Sequence, residues 1–120
     1  APAFGSLARW KMMELLTFLA TEVHKGFSAL WNPATPAEVR KGAVDRLGTR
    51  FDILAQTLAK QPYLTGDKFS IADAYLFVLL NWTKIHKVDL GRWPALTEFQ
   101  SRVAARAAVQ ATFKAEGLVK

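Results

Sequence analysis

Apolar residues recur at gaps of three and four along most of this chain, the spacing that places them on one face of a helix. Leu7, Trp10, Met13, Leu16, Leu19, Val23 and Phe27 outline a first helix, which Ser6 caps and Asn32-Pro33 ends by Leu30 or Trp31. Gly26 inside it lowers its intrinsic stability. Thr35-Pro36-Ala37-Glu38 has the form of a capping box with Pro at the first helical position, opening a second helix. Val44, Leu47, Phe51, Leu54 and Leu58 then form a seam too short for a free coiled coil and suited to a bundle.

Gln61-Pro62 stops that helix, and Ser70 opens a third that runs from Ile71 to about Lys87. It is apolar on nearly all sides, which predicts the central helix of the bundle. Asp89, Gly91 and Pro94 break the chain before a fourth helix bearing Leu96, Phe99 and Val103 on one face. A short last helix carries Val109 and Phe113 and ends at Gly117. Period-two alternation and hairpin turns are missing, so the pattern predicts an all-α bundle of about five helices in one domain, residues 1–120. Residues 1–6, "APAFGS", are expected to be the remnant of a linker or the cut end of something longer.

Composition supports a packed core: 51% of the 120 residues are hydrophobic and 12% aromatic. The net charge of +6 favours anionic partners. Acids are interspersed among the sixteen Lys and Arg, however, and no long run of like charge forms. Nucleic acid is therefore not the expected partner. No cysteine is present, which excludes disulfides, thiolate chemistry and Cys-based metal sites within this sequence and fits the cytoplasm. His24 and His86 are far apart in sequence, and no metal is expected. The longest nearly apolar run, Ile71 to Leu80, is about half of the roughly 20 residues that span a bilayer, so no membrane is expected either.

Three features carry candidate chemistry. Asp73 is the lone acid in that run; with Ser70 three residues before it, the pair has capping-box spacing, and no second carboxylate or His lies nearby in sequence. The expectation is a structural N-cap by Ser70 and Asp73. His24 and Lys25 sit together near the end of the first helix, where they either face a cleft and bind an anion or form a solvated cationic helix end. Trp82, near the end of the third helix, lines an apolar pocket for an aromatic ligand or belongs to the core.

The segments "ATEVHKGFSALWNP" and "YLTGDKFSIADAYLF" and the tail "KAEGLVK" resemble the C-terminal helical domain of bacterial beta-class glutathione transferases. The resemblance covers essentially the whole chain. It implies a thioredoxin-like N-terminal domain, absent from this sequence, that holds most of the glutathione site. It further implies a cytosolic homodimer that adds the glutathione thiol to electrophilic, often aromatic, substrates. The resemblance places His24 near the glutathione sulfur as the catalytic side chain. It gives Lys25 to the tripeptide and Trp82 to the electrophile pocket. Thr17 stands where relatives often have an Asn that reaches glutathione held by the other subunit. Ala107 stands where many members have the Pro of an Arg-Pro pair. By this resemblance the chain is the helical half of an enzyme, inactive alone, with glutathione as co-substrate and no cofactor of its own. The alternative is a glutathione-transferase-like helical module used for protein interaction without catalysis.

Overall fold

Ser6 opens the first helix as expected: its Oγ accepts from Arg9 N at 3.1 Å. In the computed structural model, which describes residues 1–119, helical backbone then continues without a break to Trp31. It is not one kind of helix. Helix α1 (Leu7–Phe18) passes into a π-helical segment, Leu19–His24, then a 3₁₀ turn, Lys25–Phe27, and a last α-turn, α2 (Ser28–Trp31). Four further rods follow: α3 (Ala37–Leu58), α4 (Ile71–Ile85), α5 (Pro94–Ala104) and α6 (Ala107–Ala115). Among the described residues no strand forms beyond a single bridge, Tyr63 to Gly66.

The core runs between the first rod, α3, α4 and α5. Phe27, Phe51 and Phe99 are fully buried there, with Leu19, Leu47, Leu76, Leu79, Leu80 and Leu96. The seam expected on α3 is buried at Leu47, Phe51, Leu54 and Leu58, and Leu96, Phe99 and Val103 all face inward from α5. Trp93, just before α5, meets Phe51 edge to face at 5.3 Å and donates its indole N–H to Asp52 at 2.6 Å. Its ring lies so close to α3 that a Cβ at Gly48 would sit 3.4 Å from it. Phe77 and Phe113 stack at 5.8 Å and bring α6 onto α4. Gly117 ends α6 at φ 69°, where Gly117 N donates to Lys114 O at 3.2 Å and Leu118 N to Phe113 O at 2.8 Å.

Three sequence expectations are corrected. Leu7, Trp10 and Met13 are exposed, whereas Leu19, Val23 and Phe27 are buried as expected and Met12 is buried with them. Successive steps of three fall short of a full turn, so Leu7 and Leu16 end about 180° apart on a helix of 3.6 residues per turn. The Thr35–Glu38 box does not form. Pro36, with ψ 147°, is itself the cap position, and its carbonyl accepts the first helical bond from Arg40 N at 2.9 Å. Asn32 closes the preceding turn, its Oδ1 accepting from Ala34 N at 2.9 Å. Finally, α4 stops at Ile85 rather than Lys87. Lys87 takes the left-handed conformation at φ 57°, and Val88 N donates back to Thr83 O at 2.8 Å. That geometry more often uses Gly, which is why no residue there announces the stop.

Asp73 is fully buried, as a structural role requires. Its Oδ2 accepts from Ser70 N at 2.8 Å and from the Ser70 hydroxyl at 3.0 Å. Its Oδ1 accepts from Leu64 N at 2.8 Å. The capping box is therefore present and does more than start α4: it also pins the loop that carries Tyr63 and Leu64.

Candidate functional site

The π-helical segment ends at His24, and a π-turn inside a helix rotates the residues after it relative to an α-helix. The 3₁₀ turn that follows fits tightly against α3, since a Cβ at Gly26 would lie 2.8 Å from Leu47 Cδ2. Gly26 thus permits a close approach of backbone to core, in addition to its cost in helix propensity.

His24 points toward α4. Its Nδ1 is 2.6 Å from the Tyr75 hydroxyl, and its ring meets Trp82 edge to face at 4.9 Å. Trp82 in turn meets Phe27 at 5.5 Å and Trp31 at 5.2 Å, both edge-on. Trp31 continues the series to His86 at 4.3 Å. Tyr75 and Trp82 are two turns apart on α4 and so share a face. Ile71, Val78 and Ile85 flank them on the same side and are exposed. The side of α4 expected to be buried all round thus presents an apolar and aromatic stripe to the surface, with an imidazole set into it.

Lys25, next in sequence, belongs to another surface. It lines a cleft of about 360 Å³ between the first rod and α3, together with Thr21, Glu22, Ser28, Arg46 and Arg50. Arg50 pairs there with Glu22 at 2.8 Å. Consecutive helical residues diverge by about 100°, so His24 and Lys25 cannot both face the Trp82 side. Thr17 is exposed, and its hydroxyl donates to Met13 O at 2.8 Å within its own helix. Among the described residues, no hydrogen bond joins Thr17 to His24 or Trp82. The structure therefore brings together His24 and Trp82 and leaves Lys25 and Thr17 apart from them.

Tyr75, Trp31 and His86 were not singled out for this site from the sequence. The heptad step from Tyr75 to Trp82 was the available signal for Tyr75. His86 caps the C-terminal end of α4 and is buried, and among the described residues its Nε2 has no hydrogen-bond partner. Burial holds its pKa below the ordinary histidine value of 6.5, and the nearby Arg40 guanidinium adds to the effect. Because the folded state resists the proton, the unfolded chain gains it first. Stability contributed by neutral His86 is complete above about pH 6.5 and is lost as pH falls below it. Urea-unfolding midpoints measured from about pH 8 down to pH 5 should decline at the acid end in the wild type, and His86→Phe should flatten that decline. Equal slopes in the two proteins would contradict this account.

Known proteins resemble this chain over nearly its whole length. Residues 18–107 match the family model described as glutathione S-transferase, C-terminal domain. Glutathione S-transferase GstA of Escherichia coli O157:H7 is 37% identical over 114 residues, covering 95% of this chain and 57% of that protein. Among solved structures, the ternary complex of BphK, a bacterial GST, is 45% identical with a TM-score of 0.94, covering 98% of this chain and 58% of that one. A beta-class glutathione S-transferase of Sphingomonas chungbukensis superposes with a TM-score of 0.92 at 36% identity, covering 99% of this chain and 59% of that one. The chain thus spans somewhat more than half the length of these relatives. Among the described residues, no helix is long and apolar enough to cross a membrane.

Proposed function

Since this chain belongs to the glutathione S-transferase C-terminal domain family, we propose that it is the helical part of a cytosolic, dimeric glutathione transferase acting on an aromatic electrophile. The observation that supports this most directly is the seating of His24 between Tyr75 and Trp82. A hydrogen-bonding imidazole beside an aromatic wall suits a reaction in which a sulfur anion meets an apolar electrophile. The glutathione thiolate attacks the electrophilic carbon, a C–S bond forms, and the electron pair departs with the leaving group or moves into an adjacent π system. His24 donates to the sulfur anion and favours the thiolate. Trp82, Trp31 and the exposed stripe of α4 bind the electrophile.

Lys25 and the other cations of its cleft attract the glutathione carboxylates at longer range. Thr17 faces glutathione held by a partner subunit, with less reach than an Asn would have. Exposed Leu7, Trp10 and Met13 offer apolar surface for the thioredoxin-like domain or the second subunit.

The division of labour is testable by conjugation of a chlorinated nitroaromatic to glutathione. The 120-residue chain alone should show no turnover above the uncatalysed rate. Joined to the glutathione-binding domain of a relative, it should turn over. Turnover by the chain alone would refute the shared site. A joined protein that is folded and binds glutathione but does not conjugate would sink the enzymatic reading and favour an interaction module.

A further inference from the structure

We propose that Tyr75 is a positioning residue for His24: its hydroxyl holds the neutral imidazole in the tautomer that carries hydrogen on Nε2, leaving that N–H as the donor to the substrate anion. The inference deepens the functional reading above and rests on it for the identity of the anion, though not for the tautomer itself.

The geometry carries the argument. A neutral imidazole has one N–H and one lone-pair nitrogen, and a hydrogen bond to one nitrogen decides what the other offers. His24 Nδ1 and the Tyr75 oxygen are 2.6 Å apart, a short contact linking residues 51 positions apart in sequence. A phenol is the stronger donor and an imidazole lone pair the stronger acceptor, so the favoured arrangement is O–H to Nδ1. Nε2, on the far edge of the ring, then carries the hydrogen. Among the described residues it makes no hydrogen bond to another protein group, so its N–H is available to a ligand. Without Tyr75, Nδ1 could take the hydrogen, and Nε2 would present a lone pair to an anion, a repulsive contact.

The ring is also fixed in direction. Trp82 meets it edge-on at 4.9 Å, and Tyr75 lies on the second turn of α4, close behind the buried Ser70–Asp73 box. The box sets where α4 begins, and so where the Tyr75 hydroxyl arrives. A solvated histidine at a helix end would have no such partners.

The test uses Tyr75→Phe, which keeps the ring and removes only the hydroxyl. In the full chain labelled with ¹⁵N-histidine, two-bond nitrogen–proton spectra on the alkaline side of the titration report which ring nitrogen is protonated. The wild type should show a lone-pair nitrogen at Nδ1 and an N–H at Nε2 of His24. In Tyr75→Phe the two signals should move toward each other as the other tautomer becomes populated. A wild-type His24 protonated at Nδ1, or identical nitrogen shifts in both proteins, would overturn the proposal.

In the joined protein, Tyr75→Phe should lower kcat/KM for glutathione by about tenfold, the size of one lost hydrogen bond, and move the rise of activity to higher pH. Unchanged kcat/KM and an unchanged pH profile would also overturn it. If the wild-type joined protein fails to conjugate at all, the enzymatic reading falls while the tautomer measurement still decides the role of Tyr75.

Discussion

Asp73→Ala should lower the unfolding free energy by about 3–5 kcal/mol, more than the roughly 1 kcal/mol typical of a lost helix cap. The excess follows from burial. In most caps the freed N–H turns to water at little cost. Here the carboxylate is fully buried and serves two backbone donors on different elements, Leu64 N and Ser70 N, each at 2.8 Å. Removing it orphans both, and an unsatisfied buried donor costs about 1–3 kcal/mol. Asp73→Asn should recover only part of the loss, since Asn offers one acceptor oxygen where two are used, and its amide N–H₂ would face a donor. Ser70→Ala should be milder, because the carboxylate that accepts from the hydroxyl keeps both of its backbone donors, Ser70 N on Oδ2 and Leu64 N on Oδ1. Urea midpoints at constant m-value give the comparison. A loss under about 1 kcal/mol for Asp73→Ala would mean that water replaces the carboxylate, and the buried-anchor account would fail.

The same residue shows how far the sequence could be read. The S-x-x-D spacing announced the cap, because capping is local and needs only residues three apart. The bond to Leu64 depends on how the preceding loop folds back, and no local spacing encodes that. Periodicity located the helices and much of their core, as in the seam of α3 and the inner face of α5. Periodicity misled at Leu7, Trp10 and Met13, where repeated steps of three drift around the helix. It was silent about the π-turn at Leu19–His24, since nothing in the side chains there distinguishes a π-turn from an α-turn. That silence matters for the site. His24 and Lys25 are adjacent in the sequence and read as one polar pair, yet the backbone turns one toward Trp82 and the other into the cleft lined by Arg46 and Arg50.

That divergence predicts unequal effects on catalysis. In the protein carrying its glutathione-binding domain, His24→Ala should reduce kcat/KM by about a hundredfold, the scale seen when a donor to a developing or bound anion is removed. The fold should survive, because His24 is exposed and Ala is the better helix former. His24→Gln should keep part of the activity through its amide donor. Lys25→Ala should cost less than about threefold at physiological salt, because a charge acting across a solvated gap is screened over roughly 8 Å. Its effect should grow as ionic strength is lowered, and that of His24→Ala should not, since a hydrogen bond at contact is insensitive to screening. Steady-state kinetics of the three variants at two salt concentrations separate these behaviours. Should Lys25→Ala match His24→Ala in size and resist salt, Lys25 must contact the substrate directly. The 3₁₀ turn at Lys25–Phe27 would then have to rotate on binding, against the tight packing of Gly26 on Leu47.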